Sequence, residues 1–392
     1  MRALLVPLAL VIASLVAASG FLSKNSVSPA NANIETTQLA LEELGEMLFF
    51  DVNLSANRSQ SCSSCHDPNF GFADPRDVAS LGDDGVSLGD RNAPTASYAA
   101  FIPTFHRNED GEWVGGQFWD GRAATLEDQA AGPPLNPGEM GMPSTAAILE
   151  RLVENDTYRR AFPALFGERV LEDPDAAYTA MTEAIAAFER TDFFAPFDSK
   201  YDRFLRGEVA LTDQEELGRI LFFSEQFTNC NQCHQTSRSA IDPQETFSDY
   251  LFHNIGTPQN WTLRDRNGVQ QGTIDGGLAL NPDVDAAEET VGRFRTPTLR
   301  NVAVTGPYMH NGVFADLRTV VLFYNTYNTR SDERLINPET GLAFDPPPVP
   351  QTLSLDKLEH GPALDDKRID ALVAFLRTLT DARYEHLLDT HE

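Results

Sequence analysis

The stretches CSSCH at residues 62–66 and CNQCH at residues 230–234 decide the fold of this chain of 392 residues, and together they contain all four of its cysteines. Two thiols three residues apart on a helical turn match the two vinyl groups of a porphyrin, and the adjacent histidine then reaches the iron. A redox dithiol would need a βαβ context, and half a zinc site would leave the histidine unexplained. The pattern therefore predicts two covalently bound c-type haems, attached and ligated by Cys62, Cys65, His66, Cys230, Cys233 and His234.

The sequence on either side of each motif is repeated. Residues 43–50 read ELGEMLFF ahead of the first motif, and residues 216–223 read ELGRILFF ahead of the second. Both have apolar residues at helical spacing, so each predicts an amphipathic helix that leads into the haem turn. After the motifs, FWDG at residues 118–121 resembles MHNG at residues 309–312. The repeat indicates one elaborated cytochrome c unit in each half of the chain.

Helical patterns outnumber strand signals in the rest of the chain. Residues 173–191 predict a helix opened by Pro174, residues 365–379 predict the C-terminal helix, and residues 316–326 predict another. We expect a mainly α fold of two cytochrome c-like haem domains with long loops rich in Gly, Pro, Asn and Asp. The predicted loops cover residues 67–117, 242–290 and 329–352, and the predicted domains cover residues 33–195 and 196–392.

The net charge limits the classes of partner, and the N-terminal segment indicates where the protein is located. The formal net charge is −28, from 58 acidic and 30 basic residues, which argues against nucleic-acid binding and favours a partner with a basic patch. Residues 1–32 predict a signal peptide or an uncleaved anchor, because Arg2 precedes an apolar run over residues 3–18. Export to the periplasm follows from this prediction. No other stretch is long and apolar enough to span a membrane.

From about residue 40 to residue 385 the chain resembles the bacterial di-haem cytochrome c peroxidase and MauG family. The resemblance rests on several motifs together, since any one of them alone would carry little weight. Besides the two CxxCH motifs and Gln129, they are RNAPT at 91–95, GQFWDGR at 116–122, NPGEM at 136–140, RTPTLRN at 295–301 and TGPYMHNG at 305–312.

The resemblance implies that the N-terminal haem binds peroxide and that the C-terminal haem handles electrons. Glu139 matches the carboxylate over the open iron face, where it would move a proton between the two peroxide oxygens. Trp119 matches the tryptophan between the haems, and His310 would hydrogen-bond near a haem edge. The other matched residues are the pocket neighbours Gln129 and Pro133 and the calcium-binding Asn92, Thr305 and Pro307.

Two departures from typical peroxidases of this family concern the sixth ligands. After His66 the next histidine is His106, so no histidine stands where one would cap the N-terminal iron. Fourteen residues after His310 stands Tyr324, where typical peroxidases have methionine and MauG-type enzymes have tyrosine. A phenolate stabilises oxidised iron, whereas a thioether raises the reduction potential. Tyr324 is therefore the predicted sixth ligand of the C-terminal haem, with Met309 and His253 as rivals.

These features favour a MauG-like enzyme that uses peroxide to oxidise a partner protein. The alternative is peroxide detoxification with a small cytochrome c or a cupredoxin as electron donor. A third reading, an electron-transfer protein with two closed haems, disagrees with Glu139 and with the absent histidine. Residues 227–229 read FTN, so the tryptophan that MauG carries just ahead of its second motif is missing, which argues against methylamine dehydrogenase as the substrate.

Overall fold

The computed structural model describes residues 40–236, 239, 241–270, 272–285 and 287–391; the predicted signal segment 1–32 lies outside them. In the described part no helix is long and apolar enough to cross a membrane. The helices are α1 (residues 40–49), α2 (Cys62–Cys65), α3 (Leu126–Ala130), α4 (Thr145–Glu154), α5 (Asp156–Phe166), α6 (Pro174–Glu189), α7 (Lys200–Leu205), α8 (Asp213–Phe222), α9 (Trp261–Asn267), α10 (Ala287–Thr290), α11 (Leu317–Asn325), α12 (Leu355–Leu358) and α13 (Asp366–Arg377). The strands form three antiparallel pairs: β1 (His106–Arg107) with β2 (Trp113–Val114), β3 (Phe252–His253) with β4 (Phe294–Arg295), and β5 (Ile336–Asn337) with β6 (Leu342–Ala343).

In the first half, α1 crosses α6 at a glycine. A Cβ atom on Gly45 would lie 1.9 Å from the carbonyl oxygen of Ala184, so no larger residue allows the two backbones to approach this closely. Helix α6 begins where the sequence predicts it, because Asp173 accepts hydrogen bonds from two backbone N–H groups of the first turn and Pro174 takes the first helical position.

The second half repeats this crossing with α8 and α13. A Cβ atom on Gly218 would lie 1.9 Å from the carbonyl oxygen of Ala371. Gly45 and Gly218 occupy the same position in ELGEMLFF and ELGRILFF, so the sequence repeat is a repeat of helix crossings. The aromatic contacts repeat as well, since Phe49 meets Phe188 at 5.6 Å between ring centroids and Phe222 meets Phe375 at 5.2 Å.

The two main apolar cores follow the two halves. Buried residues of the first core run from Leu44 to Phe194, and those of the second run from Tyr201 to Leu379. The domain boundary that we expect after residue 195 falls between these cores, and the division into domains stays a prediction. Helix-dominated architecture with few strands agrees with the expected fold class.

The predicted loop over residues 242–290 is wrong in one respect, because it contains the short helices α9 and α10. Helix α9 is short, with Asn260 as its N-cap and Gly268 at φ 72° after its end. A helix of seven residues between such caps gives too little periodicity to stand out from its surroundings.

Candidate haem centres

The histidine of each CxxCH motif is held by the same backbone contact. The Nδ1–H of His66 donates to the carbonyl oxygen of Phe72 at 3.1 Å, and that of His234 donates to Phe247 at 3.2 Å. Both phenylalanines adopt the left-handed backbone region, at φ 57° and 58°. Because a carbonyl only accepts, the contact fixes Nδ1 as the protonated nitrogen and leaves Nε2 as the lone-pair donor.

The loop behind each ring is also repeated. The hydroxyl of Thr95 donates to the carbonyl oxygen of Gly71 at 2.5 Å, and the hydroxyl of Thr298 donates to that of Thr246 at 2.6 Å. Burial lowers the pKa of both His66 and His234, so both imidazoles are neutral at neutral pH. Neutral imidazole is the form that ligates a metal.

The cysteines complete a donor set that suits c-type haem. All four are free thiols, and burial raises the pKa of Cys62, Cys65 and Cys230. Each motif therefore offers two unpaired thiols next to one neutral, oriented imidazole. The donor chemistry and spacing fit a haem joined by two thioether bonds and ligated by the histidine.

A second reading of the second motif is a small metal cluster. Ligand atoms of Cys233, Asp249 and His253 lie within 4.8 Å of one another. Although burial alone would lower it, hydrogen bonds to Asp249 and Cys233 raise the pKa of His253 to about 10. The Nε2 atom of His253 is engaged by the carboxylate of Asp249 at 3.0 Å, which makes this histidine a poorer candidate for ligating iron.

Glu139 lies in a tight turn beside the first motif. Its backbone N–H donates to the carbonyl of Asn136 at 3.0 Å, and the next N–H, of Met140, donates to Pro133 at 3.2 Å. Burial raises the pKa of the Glu139 carboxyl, against the opposing effects of Arg122 and Asn136, and its charge acts on both cysteines of the first motif.

Gln129 joins this turn through its backbone. Its carbonyl accepts the N–H of Gly132 at 2.9 Å, one residue before Pro133. The structure thus brings Gln129, Pro133 and Glu139 into one short segment that starts on α3 and faces the first motif.

Two charged residues near the first motif escaped the sequence analysis. The guanidinium of Arg122 lies 3.7 Å from the centroid of the Phe118 ring and pairs with Asp120 at 2.9 Å. Glu189 is buried on α6, and burial raises its pKa to about 8. The apolar periodicity that predicts α6 gives no sign that Glu189 is buried. Arg122 belongs to the motif GQFWDGR, but the sequence alone assigns it no role.

Trp119 connects the two halves. Its indole N–H donates to the carbonyl of Asn92 at 2.8 Å, and its own carbonyl accepts the N–H of Arg295 at 2.9 Å. In the repeat, His310 occupies the corresponding position. It stacks on Phe294 at 3.6 Å between ring centroids, and burial lowers its pKa to about 3.

The three residues expected to bind calcium lie at the same junction. The backbone N–H of Asn92 donates to the carbonyl of His310 at 2.8 Å. Thr305 and Pro307 stand just ahead of His310 in the chain, and the Gly306–Pro307 peptide bond is cis. Calcium binding by these residues stays a prediction.

Tyr324 lies on α11 and faces the second motif. Burial, followed by the charges of Cys233 and Cys230, raises the pKa of its hydroxyl. The other rival ligand, Met309, is held at φ 71° in the loop that precedes α11.

Comparison with known proteins shows which family has this sequence and fold. A family model for di-haem cytochrome c peroxidase matches residues 40–210. The methylamine utilization protein MauG of Paracoccus denitrificans is 52% identical over 355 residues, covering 89% of this chain and 91% of that one. Cytochrome c551 peroxidase of Nitrosomonas europaea is 32% identical over 325 residues, covering 80% and 81%. The solved diheme peroxidase BthA of Burkholderia thailandensis superposes with a TM-score of 0.74 at 34% identity, covering 88% and 86%. The chain therefore belongs to the di-haem cytochrome c peroxidase and MauG family of oxidoreductases.

Proposed function

We propose that this protein is a periplasmic, MauG-like enzyme that reduces hydrogen peroxide at its N-terminal haem and takes the electrons from a partner protein through its C-terminal haem. The observation that carries the proposal is the place of Tyr324 on α11 beside Cys230 and Cys233, the two cysteines of the second CxxCH motif. When bound, the haem irons supply peroxide binding and the storage of oxidising equivalents. Reduction of one peroxide to two waters takes two protons and two electrons, so the partner gives up two electrons.

The proximal residues hold and orient the two groups. Cys62, Cys65, Cys230 and Cys233 would form the thioether bonds, and His66 and His234 would ligate the two irons. The hydrogen bonds from their Nδ1 atoms to Phe72 and Phe247 keep each ring in one tautomer and one orientation. A ligand fixed in this way cannot rotate away when the charge at the iron changes.

Glu139 is the proton-transfer residue of the peroxide site. Burial raises the pKa of its carboxyl, so the group holds a proton more readily than an exposed glutamate and can pass it from one peroxide oxygen to the other. The charge of Arg122 opposes this rise. Gln129 and Pro133 bound the same pocket and limit the positions that peroxide can take.

Trp119 carries electrons between the halves. Its indole is buried, hydrogen-bonded to Asn92 in the first half, and joined through its carbonyl to Arg295 in the second. Indole is oxidised more easily than the aliphatic side chains that fill most of a core, so it can lose and regain an electron without rearrangement. Ca²⁺ held by Asn92, Thr305 and Pro307 would fix this junction, and His310 would bind near the haem edge.

Tyr324 would ligate the iron of the C-terminal haem from the side opposite His234. Its phenolate oxygen would stabilise oxidised iron, which favours storage of an oxidising equivalent over electron uptake from a weak donor. No histidine of the loop after His66 would compete with peroxide for the N-terminal iron, because the next histidine in the chain, His106, lies exposed on β1. Both features support reaction of the fully oxidised enzyme with peroxide.

Detoxification is the second candidate function, and the similarity to cytochrome c551 peroxidase favours it. A small cytochrome c or a cupredoxin would then supply the electrons. The net charge of −28 suits a basic partner in either case. Phe227 lies three residues ahead of Cys230 and is 40% exposed. Its ring is harder to oxidise than the tryptophan that MauG carries in this region, so this protein need not share the partner that MauG oxidises.

The test adds stoichiometric peroxide to the fully oxidised, purified protein without reductant. We expect a long-lived species in which the absorption of both haems changes and a near-infrared charge-resonance band links them. A protein that reacts only after one haem has been reduced would be a detoxifying peroxidase, with a sixth ligand other than Tyr324. Pyridine haemochrome analysis on the same sample counts the attached haems independently.

A further inference from the structure

Among the described residues, the buried positive charge of Arg295 has no carboxylate partner. The residue is 6% exposed, and its guanidinium makes only long hydrogen bonds, to the carbonyl oxygen of Phe118 at 3.3 and 3.4 Å and to that of Thr296 at 3.4 Å. Burial lowers the pKa of Arg295 to about 10. Placing a charge in a low-dielectric interior without a counter-charge costs several kcal/mol.

Other buried arginines of this chain do have partners. Arg300 pairs with Asp202 at 2.5 Å, and Arg91 lies between Asp120 and Asp275 at 2.7 and 2.6 Å. The carboxylate whose charge acts on Arg295 is that of Asp120, and it already forms ion pairs with Arg91 and Arg122. In a chain with 58 acidic residues, an arginine left unpaired in the interior points to an anion that the polypeptide does not supply.

The surroundings identify which anion can reach it. Arg295 stands on β4 and pairs in register with Phe252 on β3, three residues after Asp249, whose N–H donates to the carbonyl of Cys233 at 2.7 Å. Two residues after Arg295, the carbonyl of Pro297 faces the ring of His234. The backbone of Arg295 thus lies close to the second CxxCH motif, and its guanidinium donates to the carbonyl of Phe118, the residue before Trp119.

We infer that Arg295 binds a propionate carboxylate of the C-terminal haem; the inference rests on the proposed attachment of that haem to Cys230 and Cys233. A planar guanidinium fork matches a carboxylate in a bidentate arrangement, and the pair neutralises both charges in the interior. The bound propionate would lie beside Trp119, whose carbonyl accepts the backbone N–H of Arg295. Arg295 is a positioning residue: it orients the haem edge toward the indole and raises the reduction potential by offsetting the propionate charge.

The experiment records redox-induced infrared difference spectra of the holoenzyme with isotope-labelled haem propionates, obtained by growth on labelled aminolevulinic acid. The variants are Arg295→Met and Arg295→Lys. The control is Arg264→Met, because Arg264 is equally buried but has the protein carboxylate of Asp90 at 3.6 Å. Spectroelectrochemical titration of the same samples gives the potential of each haem.

We expect the isotope-sensitive carboxylate band to shift in Arg295→Met, to shift less in Arg295→Lys, and to stay in place in the control. We also expect the C-terminal haem of Arg295→Met to favour its oxidised form at least tenfold more, which is a potential about 59 mV lower. An isotope-sensitive band that stays in place in both Arg295 variants overturns the inference, even if the potential changes. If Arg295→Met does not mature, the lysine variant decides alone. Fewer than two haems in the wild-type protein would refute the attachment proposal instead.

Discussion

The two halves of the molecule share their helix crossings and histidine anchors but differ in the side chain that faces each CxxCH motif. Gly45 and Gly218 allow the same close approach of helices, and Phe72 and Phe247 accept the same hydrogen bond. Opposite these shared parts, the first half has an ionisable carboxyl in a turn, and the second has the hydroxyl of Tyr324 on a helix. The repeated scaffold positions a haem, and the unrepeated residue decides what that haem does.

The same contrast holds at the junction of the halves. The repeat relates Trp119 to His310, yet the indole N–H bonds across to Asn92 while the imidazole stacks on Phe294. An oxidisable ring thus occurs on only one side of the pseudo-repeat. Substitutions that exchange or remove the unrepeated residues therefore test the comparison more sharply than changes to the scaffold.

The largest effect is expected for Glu139→Gln, which removes the proton-transfer group and keeps the shape. General acid–base catalysis contributes about 10²–10⁴-fold, so the bimolecular rate with peroxide should fall by about that factor. Stopped-flow absorption at the N-terminal haem measures it. Glu127→Gln is the control, because Glu127 lies on α3, two residues before Gln129, and pairs with Arg190 at the end of α6 at 2.7 Å. An unchanged rate in Glu139→Gln would remove the carboxyl from the mechanism.

Tyr324→Met should make the second half resemble a typical peroxidase of the family. Replacing a phenolate by a thioether favours reduced iron, and we expect at least a hundredfold shift of the one-electron equilibrium, a rise of about 120 mV at 59 mV per decade. The long-lived species formed from the oxidised enzyme should also be lost. Tyr327→Phe is the control, because the Tyr327 hydroxyl donates to the carbonyl of Ile255 instead. Equal potentials in wild type and Tyr324→Met would show that another residue is the ligand.

Gly45→Ala and Gly218→Ala test whether the scaffold is equivalent in the two halves. In each, the new methyl group would meet a helix carbonyl at 1.9 Å, which forces the backbones apart. Overpacking of this kind costs about 1–3 kcal/mol or more of unfolding free energy. Urea unfolding followed by the absorption of each haem reports which half loses stability. Gly89→Ala is the control: the nearest atom to its new methyl group would be 3.5 Å away, so the free energy of unfolding should change little. If both Gly45→Ala and Gly218→Ala destabilise the same half, the two crossings are not equivalent.

The sequence predicts the repeated parts of the molecule better than the unrepeated ones. The octapeptides before the motifs predict α1 and α8 because their periodicity is strong, and Pro174 marks the start of α6. Arg295, in contrast, belongs to the motif RTPTLRN, but the sequence assigns it no role. Its role depends on whether a carboxylate lies near its guanidinium in the folded chain, which the sequence does not reveal. Glu189 escapes sequence analysis for a related reason: burial, not residue type, raises the pKa of its carboxyl to about 8.

The smallest effect is expected for Phe227→Trp, which changes only how easily the surface ahead of Cys230 is oxidised. Phe227 is 40% exposed, and indole loses an electron more readily than a benzene ring, so electron transfer from a reduced, basic cytochrome c should accelerate a few-fold. Phe193→Trp is the matched control, since Phe193 is 39% exposed but packs against Phe72 in the first half. Steady-state turnover with peroxide in excess measures both. If only Phe193→Trp accelerates, the partner docks on the first half, and the division of labour between the two haems is the reverse of the one proposed.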